Sequence, residues 1–256
     1  MTWEEKKALI IGRASPEPSK KHIETVCTGA ITEDGELLRL YPITFRYLEE
    51  HQKYNLWTWA SFDVRRDPQD KRKESFRVRE DSITILSHVE SEAERFSLIQ
   101  KAISPSQEFL QEQYKRDWTS MGIVEITFRD LRAQLPKTNW EVDKPYIKQA
   151  HLLVEKKPLE QMPIVLKLSF TCKNNPECNG HLSRLIAWEY MEAFRAFRER
   201  YSSPGEAFHK LKDAFVKRYF TPGKTAYALF GTHRRFPVWI IGQLYSFDTN
   251  LPLRLF

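Results

Sequence analysis

Within ten residues, Cys172, Cys178 and His181 supply three ligands suited to a soft or borderline metal ion. The stretch between them, Lys-Asn-Asn-Pro-Glu and then Asn-Gly, is rich in turn formers that let side chains at both ends converge. Only three cysteines occur, so adding Cys27 would complete a Cys₃His set that uses all of them. Zinc is the ion expected for a mixed thiolate and imidazole set, with an iron–sulfur cluster as the alternative. The plainer reading makes Cys27 a buried core cysteine and His181 a helix cap.

A second chemical feature follows the metal turn. Projected at helical spacing, Leu182, Leu185, Ile186, Ala193 and Phe197 fall on one stripe, with Glu189 in its middle. A carboxylate on an apolar face must be paired, bound to metal or held neutral. Glu189 is therefore the candidate general acid/base, with a structural salt bridge as the competing reading. Nucleic-acid contacts are expected from His233, Arg234 and Arg235, in a loop from Gly231 to Pro237 with a neighbouring aromatic, Phe236. Arg39 and Arg46 are further candidates, because Leu38–Pro42 and Phe45–Tyr47 interleave guanidinium groups with rings.

The elements that must position these groups divide unevenly. Residues 1–131 read as a β-rich portion followed by two helices. Asp34-Gly35 marks a hairpin between 24–31 and 36–41, and further strands are expected at 57–64, 76–78, 83–86 and 121–128. Residues 57–64 have one face that is only half apolar, and the charged run from Arg65 to Glu74 reads as a solvated loop. Capping boxes at Ser91/Glu94 and Ser104/Gln107 start the two helices, with Pro105 at the first helical position of the second. Residues 132–162 form an irregular, proline-punctuated connection. Residues 163–256 read as a strand at 164–170, the metal turn, a helix over 181–201, a helix from Pro204 to Tyr219 capped by Ser203, and a hairpin. The fold class expected is α+β: a barrel-like or mixed N-terminal sheet with a C-terminal strand–helix–helix–hairpin unit, in one integrated unit over 1–256.

Charge sharpens the functional expectation. The net charge of +6 divides into −1 over residues 1–90, zero over 91–160 and +7 over 161–256. The basic excess thus lies with the metal turn and favours phosphate-rich partners. No apolar run is long enough to span a bilayer, and the N-terminus lacks the pattern of a signal peptide, so no membrane role and a cytoplasmic location are expected. P-loop, dinucleotide-binding, zincin and serine-hydrolase motifs are all missing.

Taken together, three groups of residues resemble those of an uncharacterised prokaryotic protein family. They are Glu24-Thr25-Val26-Cys27 with Arg39-Leu40-Tyr41-Pro42 and Phe45-Arg46; Cys172, Cys178-Asn179-Gly180-His181 and Trp188-Glu189; and Phe230-Gly231-Thr232 with Pro237 to Gly242. The resemblance covers most of the chain and implies no known activity. Members of that family usually carry Asp-Trp-Glu where this chain has Ala187-Trp188-Glu189, so a paired-carboxylate mechanism loses one partner. The function expected is a metal-stabilised nucleic-acid-binding protein. The alternatives are an enzyme acting on nucleic acid or nucleotides through Glu189, and a subunit that meets protein partners in a larger assembly.

Overall fold

A computed structural model describes residues 2–140, 159–234, 236 and 238–250. It contains two barrels that share a seam. The first is built from β1 (Glu4–Arg13), β3 (Ile23–Ile31), β4 (Leu37–Ile43), β5 (Thr58–Arg66) and β6 (Ser75–His88), with the short β2 (Glu17–Ser19) on its edge. β1 pairs antiparallel with both β3 and β5; β3 pairs with β4, β5 with β6, and β4 runs parallel to β6 through Arg39↔Ser75 and Leu40↔Phe76. The pairings close a ring. Its interior holds Ala8, Ile10, Leu38, Leu40, Phe62 and Val64, alternate residues of their strands, as a pleated strand with one face inward requires.

The second barrel repeats that wiring with β8 (Met121–Gln134), β9 (Val165–Cys172), β10 (His181–Arg184), β11 (Lys224–Thr232) and β12 (Trp239–Asp248). β8 pairs with β9 and β11, β9 with β10, and β11 with β12. Leu185, one residue past β10, makes a parallel bridge to Ile241 that joins β10 to β12. Among the five strands of each barrel, the third and fifth make the parallel contact, and β7 (Ile103–Ser104) adds a short parallel pairing to the outside of β8. This is the five-stranded Greek-key topology of the OB-fold. Between β10 and β11 lie α3 (Trp188–Arg200) and α4 (Pro204–Tyr219), and α1 (Glu92–Ile99), the short β7 and α2 (Gln107–Asp117) link the barrels. No helix among the described residues is long and apolar enough to cross a membrane.

The fold class is α+β, and the C-terminal strand, two helices and hairpin are present, but several elements differ from expectation. His181 starts a strand, not a helix, and helix α3 begins only at Trp188. The segment His-Leu-Ser-Arg-Leu fits a period of two as well as one near four, and pairing with β9 decides between them. Residues 76–78 and 83–86 belong to one 14-residue strand, β6. The cap of α2 is Ser106, whose hydroxyl accepts from Phe109 N; Pro105 precedes the cap, and Ser104 ends β7. β8, expected to stop near 128, runs to Gln134 and forms the first strand of the second barrel. Most of the connection expected at 132–162 falls at 141–158, outside the described residues. Ser91 and Ser203 cap their helices as expected, each accepting a backbone N–H three residues on.

The seam explains strands that do not alternate. Leu9, Ile11 and Ile31 of the first barrel pack with Met121, Tyr227 and Leu229 of the second, and Trp57 and Trp59 lie against the same cluster. The half-apolar face expected over residues 57–64 thus carries Trp57, just before β5, and Trp59 into the seam. β11 is buried from Ala226 to Thr232 without a break because one of its faces lines its own barrel and the other lines the seam.

Candidate functional site

Four groups converge where the linker meets the second barrel. Glu108, Cys172, Cys178 and His181 each offer one ligand atom, and all four atoms lie within 4.8 Å of one another. They come from the first turn of α2, the last residue of β9, the turn after it and the first residue of β10. The turn is built for this convergence. Cys178 N–H donates to Asn175 O at 3.0 Å, Asn175 N–H to Cys172 O at 3.4 Å, and Glu177 N–H to Asn175 Oδ1 at 3.2 Å. Gly180 then takes φ +102°, where an added Cβ would meet Arg129 Nη1 at 2.5 Å.

The local polarity of the cluster suits a cation. Gln107 N–H donates to Cys172 Sγ and Cys172 N–H to Cys178 Sγ, both at 3.3 Å, so each sulfur faces a backbone donor. His181 Nε2 lies 2.7 Å from Glu108 Oε1, yet this buried nitrogen has no aligned hydrogen-bond partner. Glu108 Oε2 accepts from Asn175 Nδ2 at 3.2 Å. Burial works to raise the Glu108 carboxyl, but hydrogen bonds from its own backbone, Ser106 and Asn175, with the His181 charge, hold it at about 2. Burial pushes the Cys172 thiol up to about 12, with Glu108 and Cys178 adding to the rise, so without a cation the thiol stays protonated. These four groups could hold a metal ion.

Cys27, expected as the fourth ligand, is not among them. It sits on the outer face of β3, beside Arg39 in the seam, because the residues flanking it in the strand point into the first barrel. Its place is taken by Glu108, which no local spacing connects to Cys172.

Arg39 and Arg46 are each paired within the protein, Arg39 buried and Arg46 half-buried. Arg39 is 7% exposed and donates through Nη2 to Ser120 O at 3.0 Å and Oγ at 3.2 Å. Ser120 in turn gives its N–H and hydroxyl to Glu74 at 2.9 and 2.6 Å. Beside them Arg72 pairs with Asp70 at 2.6 Å and donates to Thr232 O at 2.9 Å. The charged run after β5 is therefore only partly solvated, with Asp67, Arg72 and Glu74 buried where the barrels meet. Arg46 pairs at 3.1 Å with Glu24, whose side chain is 1% exposed.

Glu189 lies in the first turn of α3, half-buried rather than in mid-stripe. Its Oε1 is 3.7 Å from Arg13 Nη2, and Oε2 accepts from Gln243 Nε2 at 3.4 Å. It lines a cleft of about 460 Å³ with Arg13, Tyr54 and Trp188. The Arg13 guanidinium stands 4.3 Å from the Phe45 ring centre and 4.5 Å from that of Trp188.

Around the second barrel the outer face of β8, β9 and β10 carries a feature that sequence spacing does not reveal. Arg132 is opposite Lys167, and Lys167 is opposite Arg184, so three basic side chains stand abreast on adjacent strands. Their neighbours Leu131, Leu166, Leu168 and Leu185 fill the barrel, which turns the three charges outward. Arg132 contacts Asp130 at 3.0 Å and Arg184 contacts Glu17 at 3.5 Å; among the described residues no carboxylate lies within ion-pair distance of Lys167. Like charges directly opposite one another destabilise a sheet. The loop joining β11 and β12 presents His233 and Phe236 stacked at 5.3 Å, with Phe236 and Val238 exposed, and Arg234 is 3.7 Å from Asp67. Arg235 lies outside the described residues.

A family model described as a domain of unknown function (DUF8757) matches residues 103–254, and another (DUF8758) matches residues 4–101. The boundary falls at the start of β7, between the barrels. No curated protein matches the chain. Similar solved structures include a murine DNA-binding protein bound to double-stranded DNA, at 9% identity and TM-score 0.35, covering 96% of each chain. The tetrameric p202 HIN2 is 8% identical at TM-score 0.34, covering 96% of this chain and 95% of that one. A replication protein A heterotrimer bound to single-stranded DNA is 9% identical at TM-score 0.33, covering 97% of this chain and 49% of that chain.

Proposed function

The chain belongs to the DUF8757 family, and we propose that it binds single-stranded nucleic acid across the β9–β10 face of its second barrel. The observation that carries this reading is the row Arg132–Lys167–Arg184. In an OB-fold the second and third strands, flanked by the 1–2 and 4–5 loops, are the surface that takes oligonucleotides. β9 and β10 are those strands, and residues 233–238 are the 4–5 loop. Three aligned cations, incompletely compensated among the described residues, gain from a polyanion, and His233 with Phe236 offers rings at the edge of the face for a base to stack on.

The same logic assigns the work to the second barrel. In the first, the outer faces of β3 and β4 point into the seam, where Ile31, Leu37 and Arg39 are buried. Those three residues are therefore closed to a ligand. The proposal includes zinc in the Glu108, Cys172, Cys178 and His181 cluster, because a mixed thiolate, imidazole and carboxylate set of four suits its tetrahedral preference. A cytosolic setting fits, since thiols stay reduced there and available as ligands.

The test is fluorescence anisotropy with labelled single-stranded DNA, single-stranded RNA and duplex, titrated at several salt concentrations. Binding of single strands in preference to duplex, weakening steeply with salt, is the expected result. No binding to any single strand at low salt would overturn the reading.

A further inference from the structure

We propose that the ion held by Glu108, Cys172, Cys178 and His181 controls nucleic-acid binding, by fixing the turn that joins the two central strands of the face. The inference rests on the proposed binding role, and the metal site itself stands on separate geometry.

β10 is a four-residue strand whose ladder to β9 has four pairs, from His181↔Phe170 to Arg184↔Lys167. A slip of one residue would turn Arg184 toward the barrel and Ser183 outward, because side chains alternate faces. Eight residues separate Cys172 from His181, a turn too long to dictate register as a two-residue hairpin does. Something else must hold the two ends. The ligand atoms sit at both of them: Cys172 ends β9 and His181 opens β10, with Cys178 in the turn between. One ion bound by all three would pin the ladder at its start, three residues from Arg184.

Glu108 extends the clamp to the linker. It rides on α2, which also gives the Gln107 N–H to Cys172 Sγ and packs Leu110 against Gly122 of β8. With bonds of about 2.0–2.3 Å, ligand atoms on a tetrahedron stand roughly 3.3–3.8 Å apart. The observed cluster, all within 4.8 Å, needs its widest pairs to close by about 1–1.5 Å to reach that spacing. His181 Nε2 and Glu108 Oε1, 2.7 Å apart and not aligned for a hydrogen bond, would open by about half an ångström to share one cation. Zinc would replace that contact with two bonds and bring both thiols to thiolates.

The experiment compares zinc-loaded, chelator-stripped and reconstituted protein in three readouts: metal content, visible absorption after cobalt substitution, and anisotropy with a labelled oligothymidylate. One equivalent of zinc and tetrahedral, thiolate-ligated cobalt bands are expected. Stripping should weaken binding on the order of tenfold, with recovery on adding zinc. Glu108→Ala should weaken metal affinity and oligonucleotide binding together, while Lys167→Ala should weaken binding and leave zinc content unchanged. Cys178→His, which keeps a ligand, should retain both and so separates loss of metal from loss of fold. Full-strength binding by the stripped protein would overturn the proposal while leaving the binding role intact. Absence of metal in protein purified with zinc would overturn it at the site. Stoichiometric zinc without oligonucleotide binding by the loaded protein would overturn it too, and would trace the failure to the binding role.

Discussion

If Arg132, Lys167 and Arg184 meet phosphates, replacing all three with alanine must change how binding depends on salt. Each phosphate contact to a single strand contributes about −0.7 to the slope of log K against log salt, so three contribute about −2.1. Between 50 and 200 mM salt, a factor of four, those contacts account for a loss of about 18-fold in affinity. The register fixes why the effects should be shared: the three residues stand directly opposite one another on neighbouring strands, about 10 Å from first to last at the usual strand spacing. Lys167, in the middle and with no carboxylate within ion-pair distance among the described residues, should account for the largest single part. Arg132 and Arg184 must first give up Asp130 and Glu17. The assay is anisotropy with a labelled oligothymidylate from 50 to 200 mM salt, with thermal denaturation to confirm that the variant is folded. A folded triple variant that kept the wild-type slope would refute the assignment of this face.

Other outcomes follow from the same structure. Glu17→Gln removes a competitor for Arg184 and should tighten oligonucleotide binding by up to about fivefold, the reach of an exposed ion pair; unchanged or weaker binding would contradict it. Arg39→Met strands Glu74 and Ser120 in the seam and should cost about 3 kcal/mol in urea denaturation, far more than a surface arginine would. Acid should reveal the Asp70–Arg72 pair. Burial opposes ionisation of Asp70, but hydrogen bonds and charge from Arg72 prevail and hold its pKa at about 2, below the usual 3.8. A depressed folded-state pKa gives stability that is present above pH ~4 and lost as pH falls through about 2. Asp70→Asn should flatten that part of the stability–pH curve, and an unchanged curve would show that the pair contributes nothing.

Several features were legible in the chain because they depend on neighbours in sequence. Ser91 and Ser203 mark helix starts through hydroxyls that reach N–H groups three residues on. The Asp34-Gly35 hairpin and the alternation of β9 are equally local. The grouping of Cys172, Cys178 and His181 also came from spacing, since a short turn can bring such residues together whatever surrounds it. Locality failed where two periods fit. His181–Leu185 satisfies both helix and strand, and only β9 alongside makes it a strand.

The sequence by itself determined the class of the protein, the basic character of residues 161–256 and three of the four groups in the cluster that could hold a metal ion, because composition and short-range geometry suffice for those. Tertiary structure alone decided the rest. Glu108 lies 64 residues before Cys172 and reaches it only because α2 docks beside the end of β9. Arg132, Lys167 and Arg184 form a row only through strand register, and nothing in their spacing announces it. Arg39 looked available to ligands until the barrels met and buried it in a seam, with the half-buried Cys27 beside it. A side chain's neighbours in sequence limit what it can reach, but closure of one barrel against another settles which partners it has.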